Sequence, residues 1–234
     1  MHSDLDKHFG AFELFGSETL LRGFLRVGRV VVMDSGGLDE QLRGKQPVGM
    51  DFAKLLVKTG AHLLSRCGDV IFGVADAREI SVVMAGIDEE GVDPRGKDLL
   101  CRLTSEASGK FSSLAGVVAS FETKVYEFPA ADLVGRYLEW RQATNDEWVL
   151  DRYLKAFAAG DDGVDSVPTS EFGREEKIEI LSQHGVDFAE VPAWQRLGVG
   201  LFWQAGVGDG EPSLVVDTEL PEGPAYREYL ANHI

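Results

Sequence analysis

The stretch "GVADAREISVVM", residues 73–84, sets Asp76, Arg78 and Glu79 between two apolar runs. Val70, Ile71 and Phe72 lead in, and Ile80, Val82, Val83 and Met84 lead out, which predicts a hairpin with the charged residues at its tip. Acids at such a tip can hold a divalent cation, because magnesium prefers carboxylate oxygens. The intervening arginine works against that, since a guanidinium carries a fixed charge and has no lone pair to give. Asp34 is the other carboxylate candidate. It follows the strand-like "RVGRVVVM" and precedes Ser35, Gly36 and Gly37, so it suits either a metal ligand at a strand end or a turn former. On their own, Lys45 reads as a surface lysine and Asp51 as a helix cap. The histidines, His2, His8, His62, His184 and His233, are scattered, and none forms a nucleophilic couple with Ser or Cys.

The elements that must position these residues follow from the pattern. Residues 26–33 predict a buried strand, and "MDFAKLLVKTGAHLLSR" predicts a helix. The hairpin at about 69–85 comes next, then a loop, "GIDEEGVDPRG", and a helix from about Lys97 to Phe111. A strand in "VVASFETKVYEF" completes a β-α-β-β-α-β order. That order predicts an α+β fold, a ferredoxin-like antiparallel sheet with its helices on one face, the topology also of polymerase palms. Beyond Pro129 the sequence predicts a long helix over "ADLVGRYLEWRQATNDEWVLDRYLKAFA", a Gly/Asp/Ser/Pro loop, a short helix ended by Gly185, and an apolar strand at Leu214–Val216. The expected organisation is a palm-like core over 1–130 with a mainly helical extension over 131–234 packed on it as one structural unit.

The net charge is −16 and unevenly spread. Residues 1–66 carry nine Lys/Arg against eight Asp/Glu, residues 67–144 eight against thirteen, and residues 145–234 six against eighteen. The last third would repel a phosphate backbone, so any nucleic acid must contact the first two thirds. Arg22, Arg26, Arg29, Arg43 and Lys45 are candidates for a basic groove there. No apolar run reaches bilayer length, the start "MHSDLDKHFG" lacks a signal-peptide pattern, and Cys67 and Cys101 have no metal-type spacing. These features predict a cytoplasmic protein with no membrane contact.

Three ordered segments resemble the tRNA-His guanylyltransferase family and its bacterial 3′-5′ polymerase-like relatives. They are "REISVVM", "KVYEFPAADLVGRYLEWRQ" and "EKIEILSQHGVDFAEVPAWQRLGVGLFW". The likeness spans roughly residues 20–205 and is specific through the order of its parts. It implies a polymerase-like palm that adds a nucleotide to a tRNA 5′ end, with GTP or ATP as substrate and magnesium held by carboxylates. It further implies a homo-oligomer, a dimer or tetramer.

Carried over residue by residue, the resemblance assigns catalysis to Asp34 and Glu79 and the metal to Asp34, Asp76 and Glu79. Nucleotide binding falls to Ser35, Gly36, Gly37, Lys45 and Arg78. Several positions depart from the family pattern. Ser81 and Glu79 align with its hairpin motif, which puts Arg78 at the position of a ligand aspartate. There Arg78 could pair with Asp34 and Glu79 as a fixed charge in the metal's place, or a shifted turn could bring Asp76 in. Ser35 stands for a glycine and Val32 for an arginine. Thr144 and Trp148 stand for an aspartate and an asparagine beyond the Trp-Arg-Gln motif. The alternative expectation is a catalytically inactive relative serving as a nucleotide-binding or protein-interaction module.

Overall fold

In the computed structural model, which describes residues 7–9, 25–33, 47–67, 69–85, 96–158, 169–206 and 211–234, the β-branched run forms β1, Leu25–Met33. The elements that follow are α1 (Met50–Arg66), β2 (Val70–Ala75), β3 (Glu79–Met84), α2 (Gly96–Ala115), β4 (Ser120–Phe128) and α3 (Ala131–Ala158). Then come α4 (Arg174–Gln183), the single turn α5 (Ala193–Arg196), β5 (Val199–Gln204), β6 (Ser213–Asp217) and α6 (Pro224–Ala231). The fold is α+β. Its six described strands lie in the order β4-β1-β3-β2-β5-β6, each antiparallel to its neighbour.

Alternation along the strands divides the side chains between two faces. Val30, Ile80, Val82 and Val125 point to the face covered by α1 and α2, where they meet Leu56, Leu63, Leu103 and Phe111. Val27, Val83, Tyr126 and Phe128 point to the opposite face, under Val134, Tyr137 and Leu138 of α3. A third apolar cluster joins the far half of α3 to α4 through Val149, Leu150, Leu154 and Leu181. Each such buried side chain contributes on the order of 1.5–3 kcal/mol. The third cluster also takes in Val48 and Ala77, so the start of α1 and the hairpin tip both pack against α3.

From residue 131 onward the described elements include four α-helices and two strands, and those strands, β5 and β6, extend the sheet beyond β2. Gly60 makes this possible on the α1 side: a Cβ there would lie 2.6 Å from Leu201 Cδ1 on β5. Gly198 enters β5 with φ +87°, a conformation that favours glycine.

Candidate functional site

The β2–β3 hairpin tip is held by its own backbone and by α3. Asp76 Oδ1 accepts from the N–H groups of Arg78 at 2.8 Å and Glu79 at 2.9 Å, closing an Asx-type turn. The tip lies under one stripe of α3: Arg141, Asn145, Trp148 and Arg152, spaced four, three and four residues apart, share a helix face. Each meets a different part of the tip or its neighbour.

Arg141 meets Glu79. Its Nε donates to Oε1 at 2.8 Å, with Nη2 at 2.7 Å from the same oxygen. Arg29, from β1, donates through Nε to Oε2 at 2.7 Å. Arg29 and Glu79 project to the same face because β1 pairs with β3 in the register Arg29↔Ser81 and Val31↔Glu79. Both oxygens of Glu79 therefore face guanidinium groups, and the carboxylate is buried. Burial alone would lower the pKa of Arg29, but the Glu79 carboxylate outweighs it and holds the guanidinium above its usual range.

Asn145 is fully buried and spans three segments. Its Oδ1 accepts from Ala77 N–H at 3.4 Å, and its Nδ2 donates to the carbonyls of Gln195 at 2.9 Å and Arg196 at 2.8 Å. Gln142 similarly donates to Pro221 O at 3.0 Å. The Trp-Arg-Gln motif thus acts here as a brace: Trp140 stacks on Phe9, Arg141 holds the hairpin, and Gln142 holds the C-terminal chain.

Arg78 does not pair with Glu79. Its guanidinium lies 5.2 Å from the Trp148 ring centroid, and Arg152 lies 5.6 Å from the same ring. Arg152 Nε also donates to Pro47 O at 3.4 Å, tying α3 to the start of α1. Arg78 Nε and Nη2 are buried and have no hydrogen-bond partner among the described residues. Asp76 additionally lines a cavity of about 10 Å³ with Ser81, Arg141, Gln142 and Tyr226, room for roughly one water. Burial pushes the Asp76 carboxyl up, and the Glu79 carboxylate adds to the rise.

Asp76, Arg78 and Glu79 thus sit at one tip but face different partners. Asp34, Ser35, Gly36, Gly37 and Lys45 lie outside the described residues, as do Arg22 and Arg43. Arg26 and Arg29 are committed internally, Arg26 to Glu127 at 3.4 Å and Arg29 to Glu79, so neither lines an open basic groove. The described hairpin does not fit a divalent cation. Glu79 is occupied by two arginines, Asp76 Oδ1 by two backbone donors, and Arg78 adds positive charge where a ligand would sit. Among the described residues no group of three His, Cys, Asp or Glu could hold a metal ion. What the tip offers is cationic: Arg78 and Arg152 meet at the Trp148 ring, and Arg152 reaches Pro47 just before α1, whose N-cap, Gly49, provides no side-chain cap.

Asn145 and Arg152 do not stand out in the sequence as site residues. Their spacing from Arg141 and Trp148 along one helix face was the available signal.

No family model and no curated protein matches the chain. Solved structures do. A bacterial tRNA(His) guanylyltransferase (Thg1)-like protein in complex with ATP matches at TM-score 0.73 and 15% identity, over 100% of this chain and 98% of that one. A bacterial protein of the same description in complex with GTP matches at TM-score 0.70 and 16% identity, over 99% and 97%. The tRNA(His) guanylyltransferase of Saccharomyces cerevisiae matches at TM-score 0.66 and 16% identity, over 81% and 90%. The fold of this chain is that of the tRNA-His guanylyltransferase family.

Proposed function

We propose that this chain is a tRNA-His guanylyltransferase-like protein that binds GTP or ATP and adds a nucleotide to a tRNA 5′ end. The observation that carries the reading is the end-to-end likeness to a nucleotide-bound relative, which agrees with the three ordered motifs in the sequence. In finer detail, the reading treats residues 1–130 as a ferredoxin-like, palm-like core and 131–234 as its packed extension. It takes the working protein to be a cytoplasmic homo-oligomer. Among the described residues no helix is long and apolar enough to cross a membrane.

The nucleotide would lie where the end of β1, the hairpin tip and the N-terminus of α1 converge. Asp34, Ser35, Gly36, Gly37 and Lys45 are the proposed contacts from the β1 side, and Arg78 the contact from the hairpin. In the reaction the 3′-hydroxyl of the incoming nucleotide attacks an activated 5′ phosphate and displaces its leaving group. Catalysis would rest on positioning and on neutralising the phosphates. The family implies magnesium on Asp34, Asp76 and Glu79. The hairpin geometry does not favour that set, so no step is assigned to a metal.

A second reading is a non-catalytic relative that keeps the scaffold as a nucleotide-binding or interaction module. The lock of Glu79 between Arg29 and Arg141 favours it. Transfer of radiolabelled nucleotide to 5′-truncated tRNA separates the two, using wild type, Asp34→Ala and Arg78→Asp. Label transferred by wild type and lost in Asp34→Ala supports the enzyme. A silent wild type beside an active Arg78→Asp supports the module on an intact scaffold. Silence from all three, with no tRNA or nucleotide bound, overturns the tRNA assignment.

A further inference from the structure

We infer that Arg78 stands in for a divalent cation, so that this chain binds a nucleoside triphosphate without metal. The inference rests on the reading that the chain binds GTP or ATP, and adds to it how the phosphate charge is met.

Charge pairing makes the argument. In a chain of net charge −16 an arginine rarely lacks an acid, and most described arginines reach one, from Arg26 on Glu127 to Arg227 on Glu139. Arg78 and Arg152 have no carboxylate partner among the described residues, yet they meet at one indole, that of Trp148. The two carboxylates nearest in sequence give Arg78 no ion pair, although Asp76 is close enough to feel its charge. Glu79 is neutralised by Arg29 and Arg141, and Asp76 turns Oδ1 back onto the tip backbone. Asp51 opposes the positive field from the first turn of α1, but it is exposed, with Lys54 at 4.0 Å.

Hydrogen bonding points the same way. Buried donors without acceptors are rare in folded proteins and need a reason. Arg78 has two such donors, Nε and Nη2, on one edge of its guanidinium. That edge is the fork that matches two phosphate oxygens. The fork is also held in place, by the Trp148 ring and by the Asp76 turn that fixes the Arg78 backbone. Arg152 and the uncapped N-terminus of α1 are close by, since Arg152 donates to Pro47 O and Val48 shares an apolar cluster with Ala77. A triphosphate would satisfy the fork and supply the missing counter-charge.

The test is calorimetric titration of GTP, and separately ATP, into the full chain. Wild type is compared in EDTA and in magnesium, beside Arg78→Ala and Arg78→Lys, with thermal melts to verify folding. The inference predicts wild-type Kd values in the two buffers within about twofold. In EDTA, Arg78→Ala should weaken binding by roughly tenfold or more, the scale of one or two charge-assisted hydrogen bonds. Arg78→Lys, which keeps the charge but not the fork, should fall between. Wild-type binding that appears only with magnesium overturns the inference and leaves the nucleotide reading standing. Binding in EDTA that Arg78→Ala leaves unchanged also overturns it, because the triphosphate then sits elsewhere. No binding in either buffer overturns both. Should Arg78→Ala not fold, Arg78→Lys takes its place, and binding in EDTA that it leaves unchanged overturns the inference.

Discussion

Glu79→Gln separates an ion-pair hub from a metal ligand. In the wild type, Glu79 is 1% exposed and balances Arg141, 7% exposed, and Arg29, 25% exposed. The substitution keeps the shape but leaves two guanidinium charges, that of Arg141 buried and that of Arg29 part-buried, without their counter-ion. Breaking such a pair from one side costs about 3–5 kcal/mol. For a chain of this size each kcal/mol lowers the melting temperature by about 2–4 °C, so the expected fall is roughly 6–20 °C. Thermal denaturation followed by circular dichroism in EDTA, and again in magnesium, reads it. The hub account predicts the same fall in both buffers. A metal ligand behaves otherwise: removing one carboxylate from an empty acidic cluster relieves repulsion, so stability in EDTA holds or rises. A fall under about 1 kcal/mol in EDTA refutes the reasoning, given the usual cost of a broken buried pair. A cycle with Glu79→Met and Arg141→Met adds a check, because the double variant should lose less than the sum by about 0.5–3 kcal/mol.

Asn145→Ala removes an acceptor for Ala77 N–H and a donor to two carbonyls, and should cost about 1–3 kcal/mol, with faster amide exchange at Ala77 as the local readout. Asp76→Asn tests the sign of a pH effect. Burial and Glu79 make the folded Asp76 carboxyl hold its proton more tightly than in the unfolded chain, so it erodes stability as pH rises through its folded pKa. The variant keeps an oxygen for the two backbone donors, and in urea titrations it should gain on wild type from about pH 4 upward and show no advantage below that. Gly60→Ala forces a Cβ toward Leu201 Cδ1 and Ile80 Cγ2, and should cost about 1–3 kcal/mol in the same assay.

The elements around the tip were legible because their signals are local. The hairpin showed in its two apolar runs around a charged tip, α1 in its helical period, and α3 in a long stretch without proline. β5 was not, because Gly198 and Gly200 interrupt the apolar run, although the same glycines let Ala75 and Leu220 pack closely. The resemblance placed Arg78 at the ligand position, but where its guanidinium turns depends on Trp148, on an element formed far along the chain. The same limit hid the Glu79 hub. Arg29 lies 50 residues before Glu79 and Arg141 lies 62 after it, and only the β1–β3 register and the path of α3 bring them together. Arg29, read as a candidate for an open basic groove, is instead a part-buried partner of Glu79.

The most direct test of the central claim, that arginine charge occupies the place of the family's metal, is a crystal structure grown with a non-hydrolysable GTP analogue and manganese, with anomalous scattering measured at the manganese edge. The account predicts phosphate oxygens within hydrogen-bond distance of Arg78 Nε and Nη2, Glu79 still between Arg29 and Arg141, and no anomalous peak at the hairpin tip. A manganese peak coordinated by Glu79 or Asp76, with Arg78 turned away from the phosphates, would contradict it.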